Sequence, residues 1–159
     1  MLKLTTLLEE ATMTALATQP LLDALRTHAD DEELIARVRP PETGREFHLL
    51  RRDADVEVWL IAWAPGASTG FHDHGTATTA FTVLTGSLVE HNWLGGLQLA
   101  DIGPGDARAH APGHVHDVRN VGSLPALSLH AYAPRLDAMH HYHFRGDRIS
   151  LIGAEPGRP

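Results

Sequence analysis

The chain contains no cysteine. That absence excludes disulfides, thiolate-bound zinc and a cysteine nucleophile, and it leaves histidine as the principal metal ligand. Basic residues are also scarce: 13 Lys and Arg against 20 Asp and Glu give a formal charge of −7. A nucleic-acid partner calls for a basic face, so none is expected. No stretch approaches the roughly 20 apolar residues that span a bilayer, so no membrane partner is expected either. The opening MLKLTTLLEEATMTALATQ lacks the order of a signal peptide, because Glu9 and Glu10 interrupt its apolar block. A cytoplasmic location is the default expectation. Histidine is what abounds, with 12 in 159 residues, and this length suits one domain with a sizeable core.

The first forty residues read as helical. LTTLLEEATMTALA carries apolar residues at helical spacing, and Pro20 predicts the first turn of a second helix, PLLDALRTHA. Asp30 and Glu33 form a candidate capping box ahead of DEELIARV, and Pro40 and Pro41 then end the helical part. From Arg45 the pattern turns to short runs rich in β-branched and aromatic residues: EFHLLRR, VEVWLIAW, AFTVLTGSLVEHNW, LQLADI, VHDVRNV and ALSLHAYAP. Gly and Pro separate them, which predicts an all-β barrel or sandwich. The expected organisation is a helical segment over 1–44 packing on a β-barrel over 45–159, a single domain overall.

Within the β part, GFHDHG places His72 and His74 two residues apart, on one face of a strand, with Asp73 turned away. Alone, the pair would more readily be two exposed strand histidines. It belongs, however, to a longer arrangement: Gly66, His72, His74, Thr79 and Gly86, followed by Gly105, Ala111, Gly113, His116 and Asn120. These spacings resemble the two motifs of the cupin superfamily. Ala111 stands where cupins carry a proline, and Thr79 stands where many carry a glutamate ligand. The resemblance implies a cupin fold, the double-stranded β-helix or jelly-roll barrel, with a metal held by His72, His74 and His116. Three neutral imidazoles leave a divalent ion its full charge and about three open positions.

A second stretch narrows the family. In LSLHAYAP, Ser128, His130 and Tyr132 alternate along one strand face, where a hydroxyl, an imidazole and a phenol can form a hydrogen-bond chain. Together with WAPGASTGFHDHG, VLTGSLVE and HDVRNVGSLP, this series resembles the thiol dioxygenases typified by cysteine dioxygenase. The resemblance implies Fe(II) as cofactor, and a small thiol and O2 as partners that yield a sulfinic acid. The protein acting as monomer or homodimer would use Ser128, His130 and Tyr132 as an outer triad. Tyr132 would lie toward the substrate, on a strand beside that of His116. Trp63 would line or support the pocket, and Ala133-Pro134 would be a cis peptide.

Two departures bear on substrate. Thr79 occupies the place of the cysteine that cross-links to the triad tyrosine in animal members. The family's carboxylate-binding arginine falls, in this alignment, on Leu49. Leu49 favours a thiol without a carboxylate there unless Arg51, Arg45, Arg119 or His48 supplies the contact. A cysteine-like thiol is therefore the family expectation. 3-Mercaptopropionate, an amine thiol or a specialised-pathway thiol is the alternative, and a non-catalytic metal-binding or ligand-binding cupin is a further one. MHHYHF reads as a terminal strand, and His28, His48, His91, His110 and His114 lack a motif partner.

Overall fold

The computed structural model describes residues 2–159, with the first helix characterised at side-chain level chiefly from Ala17 onward. Helix α1 spans Leu2–Ala29 and α2 spans Glu32–Arg37. Pro20 sits inside α1 and starts no new helix. A mid-helix proline costs about 3 kcal/mol in general. Here Leu21, Ala24 and Leu25 follow it directly and bury themselves against Val58, Leu60 and Leu129 of the sheet, which offsets that cost. The cap of α2 is Asp31, one residue later than expected: its carboxylate accepts from the Leu34 N–H at 2.9 Å.

Eleven strands follow among the described residues: β1 (Arg45–Arg52), β2 (Glu57–Trp63), β3 (Phe71–Asp73), β4 (Thr78–Thr85), β5 (Leu88–Trp93), β6 (Leu97–Ile102), β7 (Ala107–His110), β8 (Val115–Arg119), β9 (Ala126–Ala133), β10 (Ala138–Phe144) and β11 (Ile149–Pro156). They form two antiparallel sheets. One has the order β1-β2-β9-β4-β7 and the other β11-β10-β3-β8-β5-β6. The fold is an all-β cupin barrel with a helical N-terminal segment. The MHHYHF stretch is not the terminal strand, because it is followed by and paired with β11.

Alternation sorts the first sheet into two faces. Leu127, Leu129 and Ala131 of β9 pack with α1, as do Val58, Leu60 and Ala62 of β2. The intervening Ser128, His130 and Tyr132 turn into the barrel, where Ile61, Trp63, Phe81 and Val83 make an inner core with Leu88, Ile102 and Val118 of the second sheet. One turn shows why glycine is needed: at Gly86, with φ +74°, an added Cβ would meet the Pro125 carbonyl oxygen at 2.6 Å.

Candidate metal centre

Three of the buried polar side chains converge inside the barrel. His72 on β3 is the register partner of His116 on β8, so two chain segments 44 positions apart present imidazoles side by side. His74 lies just past the end of β3. All three are buried, and each offers a ring nitrogen within 4.8 Å of the others. Nε2 of His72 and Nε2 of His74 stand 3.1 Å apart. Two ligands about 2.1 Å from one ion and at a right angle would be separated by about 3.0 Å, so the spacing fits shared coordination.

Protonation favours the same outcome. Burial drives the pKa values of His72 and His74 well below the ordinary imidazole value, and the neighbouring histidines push the same way. His116 is lowered too, by burial, although Glu90 opposes the shift. His72 Nδ1 donates to the Gly70 carbonyl at 2.8 Å, and His116 Nδ1 donates to Glu90 Oε2 at 2.7 Å. Both contacts fix the tautomer that leaves Nε2 a free lone pair. Asp73 turns to the opposite face, where it accepts from the Gly75 N–H, His140 Nδ1 and the Tyr142 hydroxyl. The donor set is thus three neutral nitrogens with neither thiolate nor carboxylate, which suits a divalent transition ion.

Glu90 had no place in the sequence reading. It is fully buried on β5 and also accepts from His110 Nε2 at 2.7 Å. Burial works to raise its pKa, but the His110 and His116 hydrogen bonds prevail and hold it well below the usual carboxylate range. His110 and His114 therefore have partners after all: Glu90 for the first and the Asn92 side-chain carbonyl for the second. Glu90, His110, His114 and His116 also fall within ligand distance of one another. The His110 and His114 rings, however, lie stacked at 3.8 Å and only 10° from parallel. In-plane lone pairs in nearly parallel planes do not meet at one ion, so this group is a hydrogen-bonded buttress behind His116. The strand pattern held a signal for Glu90, because it shares a face with buried Leu88.

The triad residues come from the facing sheet. β9 lies between β2 and β4, so it is not beside the strand of His116 but across the barrel from it. The Trp63 indole N–H donates to Ser128 Oγ at 2.8 Å, and Ser128 Oγ contacts His130 Nε2 at 2.7 Å. Trp63, Ser128 and His130 are thus joined in one buried hydrogen-bonded series. Among the described residues no hydrogen bond joins His130 to Tyr132, so the expected three-member chain ends one step short and begins instead at Trp63. Trp63 is fully buried. His130 stacks on Phe81, with ring centroids 5.1 Å apart and planes 3° from parallel, and burial lowers its pKa to about 3. The Tyr132 ring packs 5.2 Å from that of His74, and burial pushes its phenol far above the ordinary value. The peptide Ala133-Pro134 is cis. Thr79 is the register partner of Tyr132, and its hydroxyl is buried without a partner.

The expected substrate residues divide. Leu49 is 42% exposed and lies outside the cavity lining, and a register shift between Leu49 and Arg51 breaks the alternation of β1. Arg51 pairs with Asp53, and Arg119 pairs with Asp117. Arg45 is the cation that lines the cavity, with His72, His74, His116, His130 and Tyr132. Its Nη1 is buried with no hydrogen-bond partner, while its guanidinium lies over the rings of Phe47 and Trp63 at 5.0 and 5.4 Å. Burial lowers its pKa. The expectation that Arg51 shares a face with Phe47 and Leu49 is therefore corrected: the extra residue in β1 turns Arg51 away, while Leu49 keeps that face at its exposed end.

A family model described as cysteine dioxygenase type I matches residues 1–145. The chain belongs to that family. Solved structures agree on the barrel. A protein of Thermus thermophilus is 27% identical, with 64% of this chain and 93% of that chain covered and a TM-score of 0.57. A Klebsiella pneumoniae protein with a double-stranded β-helix domain is 23% identical, with 74% and 92% covered and a TM-score of 0.56. A cupin superfamily protein of Desulfitobacterium hafniense, 19% identical, covers 63% and 86% at the same score.

Proposed function

We propose that this protein is a thiol dioxygenase in which His72, His74 and His116 hold Fe(II). Its substrate is a small thiol with a carboxylate, of the cysteine kind, oxidised by O2 to the sulfinic acid. The balance is closed: RSH and O2 give RSO2H, sulfur loses four electrons, and both oxygen atoms end on it. The observation that carries the substrate class is Arg45, a half-buried residue whose Nη1 is buried without a hydrogen-bond partner in the cavity of the three histidines. A buried N–H without an acceptor is costly, and a carboxylate supplies the missing hydrogen-bond acceptor together with an opposite charge.

When bound, iron supplies a Lewis acid that favours the thiolate and a one-electron centre that lets O2 react. The chain's own residues do the rest. Arg45 anchors the carboxylate at one end of the cavity and so orients the sulfur toward the histidines. Tyr132 keeps its proton, because burial disfavours the phenolate, and presents a hydroxyl donor toward the reacting groups. Trp63, Ser128 and His130, with Phe81 against the His130 ring, position the wall from which Tyr132 projects.

The test is O2 uptake and sulfinate formation by Fe(II)-loaded protein with L-cysteine, 3-mercaptopropionate and cysteamine. Turnover of a carboxylate-bearing thiol in preference to cysteamine is expected. Preference for cysteamine would remove Arg45 from the account, and no uptake with any thiol would remove the activity.

A further inference from the structure

The strand that ends the second sheet leads into a segment with an unusual destination. Residues of β11 from Ser150 to Pro156 are exposed, yet Pro159, three positions on, is buried. Its receptor is the cavity of the candidate metal centre, where it lines the same space as Arg45, His72, His74 and Tyr132. Three consecutive contacts bring it there. The Gly157 N–H donates to the Asp137 carbonyl at 2.8 Å. Gly157 passes so close to Leu136 that an added Cβ would lie 2.2 Å from that residue's carbonyl oxygen. Arg158 then lays its guanidinium over Phe47 of β1, 5.2 Å from the ring. Since β11 and β1 are the edge strands of the two sheets, residues 157–159 bridge the seam between them.

With Pro159 in place the cavity retains about 10 Å³, roughly what a single water needs. A thiol bearing a carboxylate has five or more heavy atoms and does not fit beside it. Arg158 also shares the Phe47 ring with Arg45, a like charge, so the seat is held against repulsion and suits reversible release. Building on the thiol reading above, we propose that Gly157–Pro159 is a self-plug. Pro159 occupies the substrate's seat, and a thiol binds by displacing it.

A plug seated for most of the time lowers apparent affinity in proportion to the open fraction. The test uses the full chain loaded with Co(II), a deletion of residues 157–159, and Gly157→Ala, which keeps the chain length but cannot seat as the glycine does. Two readouts are followed: L-cysteine binding by thiolate-to-cobalt absorbance without turnover, and the rate at which EDTA removes the cobalt. Both variants should bind L-cysteine about threefold or more tightly and lose metal about threefold or more quickly. An unchanged rate of metal removal in both variants overturns the plug whatever the thiol does. Faster removal without L-cysteine binding in any of the three proteins supports the plug and counts against the thiol reading.

Discussion

Oε2 of Glu90 receives hydrogen bonds from two imidazoles at once, His116 and His110, each at 2.7 Å, and only the first belongs to the candidate metal site. The carboxylate fixes the His116 tautomer and raises its basicity as a ligand. Glu90→Gln keeps the shape but removes the charge, and it should weaken Fe(II) binding roughly 10- to 100-fold. Competition against a chelator of known affinity measures this. Unaltered affinity would mean that Glu90 is only a core residue.

Arg45 and Arg51 are predicted to behave oppositely. Arg45→Met should lower kcat/KM for L-cysteine by about 10- to 100-fold, the loss of a charged hydrogen bond, and leave cysteamine turnover much less affected. Arg51→Ala, with its exposed Asp53 partner, should change neither. Leu49→Arg should likewise bring no gain with L-cysteine, because that side chain lies at the exposed rim of the sheet and outside the cavity lining. Equal losses of both thiols in Arg45→Met would assign Arg45 to packing.

Acid should destabilise the metal-free protein through its buried neutral histidines. The folded-state pKa of His130 is lowered to about 3, against about 6.5 for an unperturbed imidazole. The unfolded chain therefore binds more protons over that window, so stability falls as pH drops from about 6.5 toward 3 and is fully present above it. Denaturation midpoints measured across this range should slope more gently in His130→Gln than in the parent. An identical slope would show that His130 protonates in the folded state as readily as in the unfolded one.

Behind β3, Asp73 ties together Gly75, His140 and Tyr142. Asp73→Ala strands these donors and should cost about 1–3 kcal/mol of stability, read from urea unfolding. Tyr142→Phe, which removes a single hydrogen bond, should cost less. A loss near zero for Asp73→Ala would mean that water replaces the carboxylate.

The metal-ligand candidates were legible because strand periodicity and glycine spacing are local properties of GFHDHG and APGHVH. The barrel was legible for the same reason. Four features were not. Pro20 reads as a helix start, but packing of Leu21 and Leu25 carries α1 through it. Arg45 was one of several candidate cations, and only the fold separates it from Arg51 and Arg119, which pair with carboxylates instead. Strand alternation places Glu90 on the face of Leu88, but its partners His116 and His110 come from β8 and β7, which the local pattern does not bring to it. The placement of β9 across the barrel from His116 depends on sheet order, which no single strand encodes.

That sheet order separates two tasks. All three ligand candidates and Glu90 belong to the wall formed by β3, the turn after it, β8 and β5. Arg45, Trp63, Ser128, His130 and Tyr132 stand on the opposite wall, formed by β1, β2 and β9. Helix α1 packs against the outer face of that second wall. Substitutions there can therefore re-tune which molecule is accepted while ion retention stays intact, so the barrel can acquire new substrates by altering one side only.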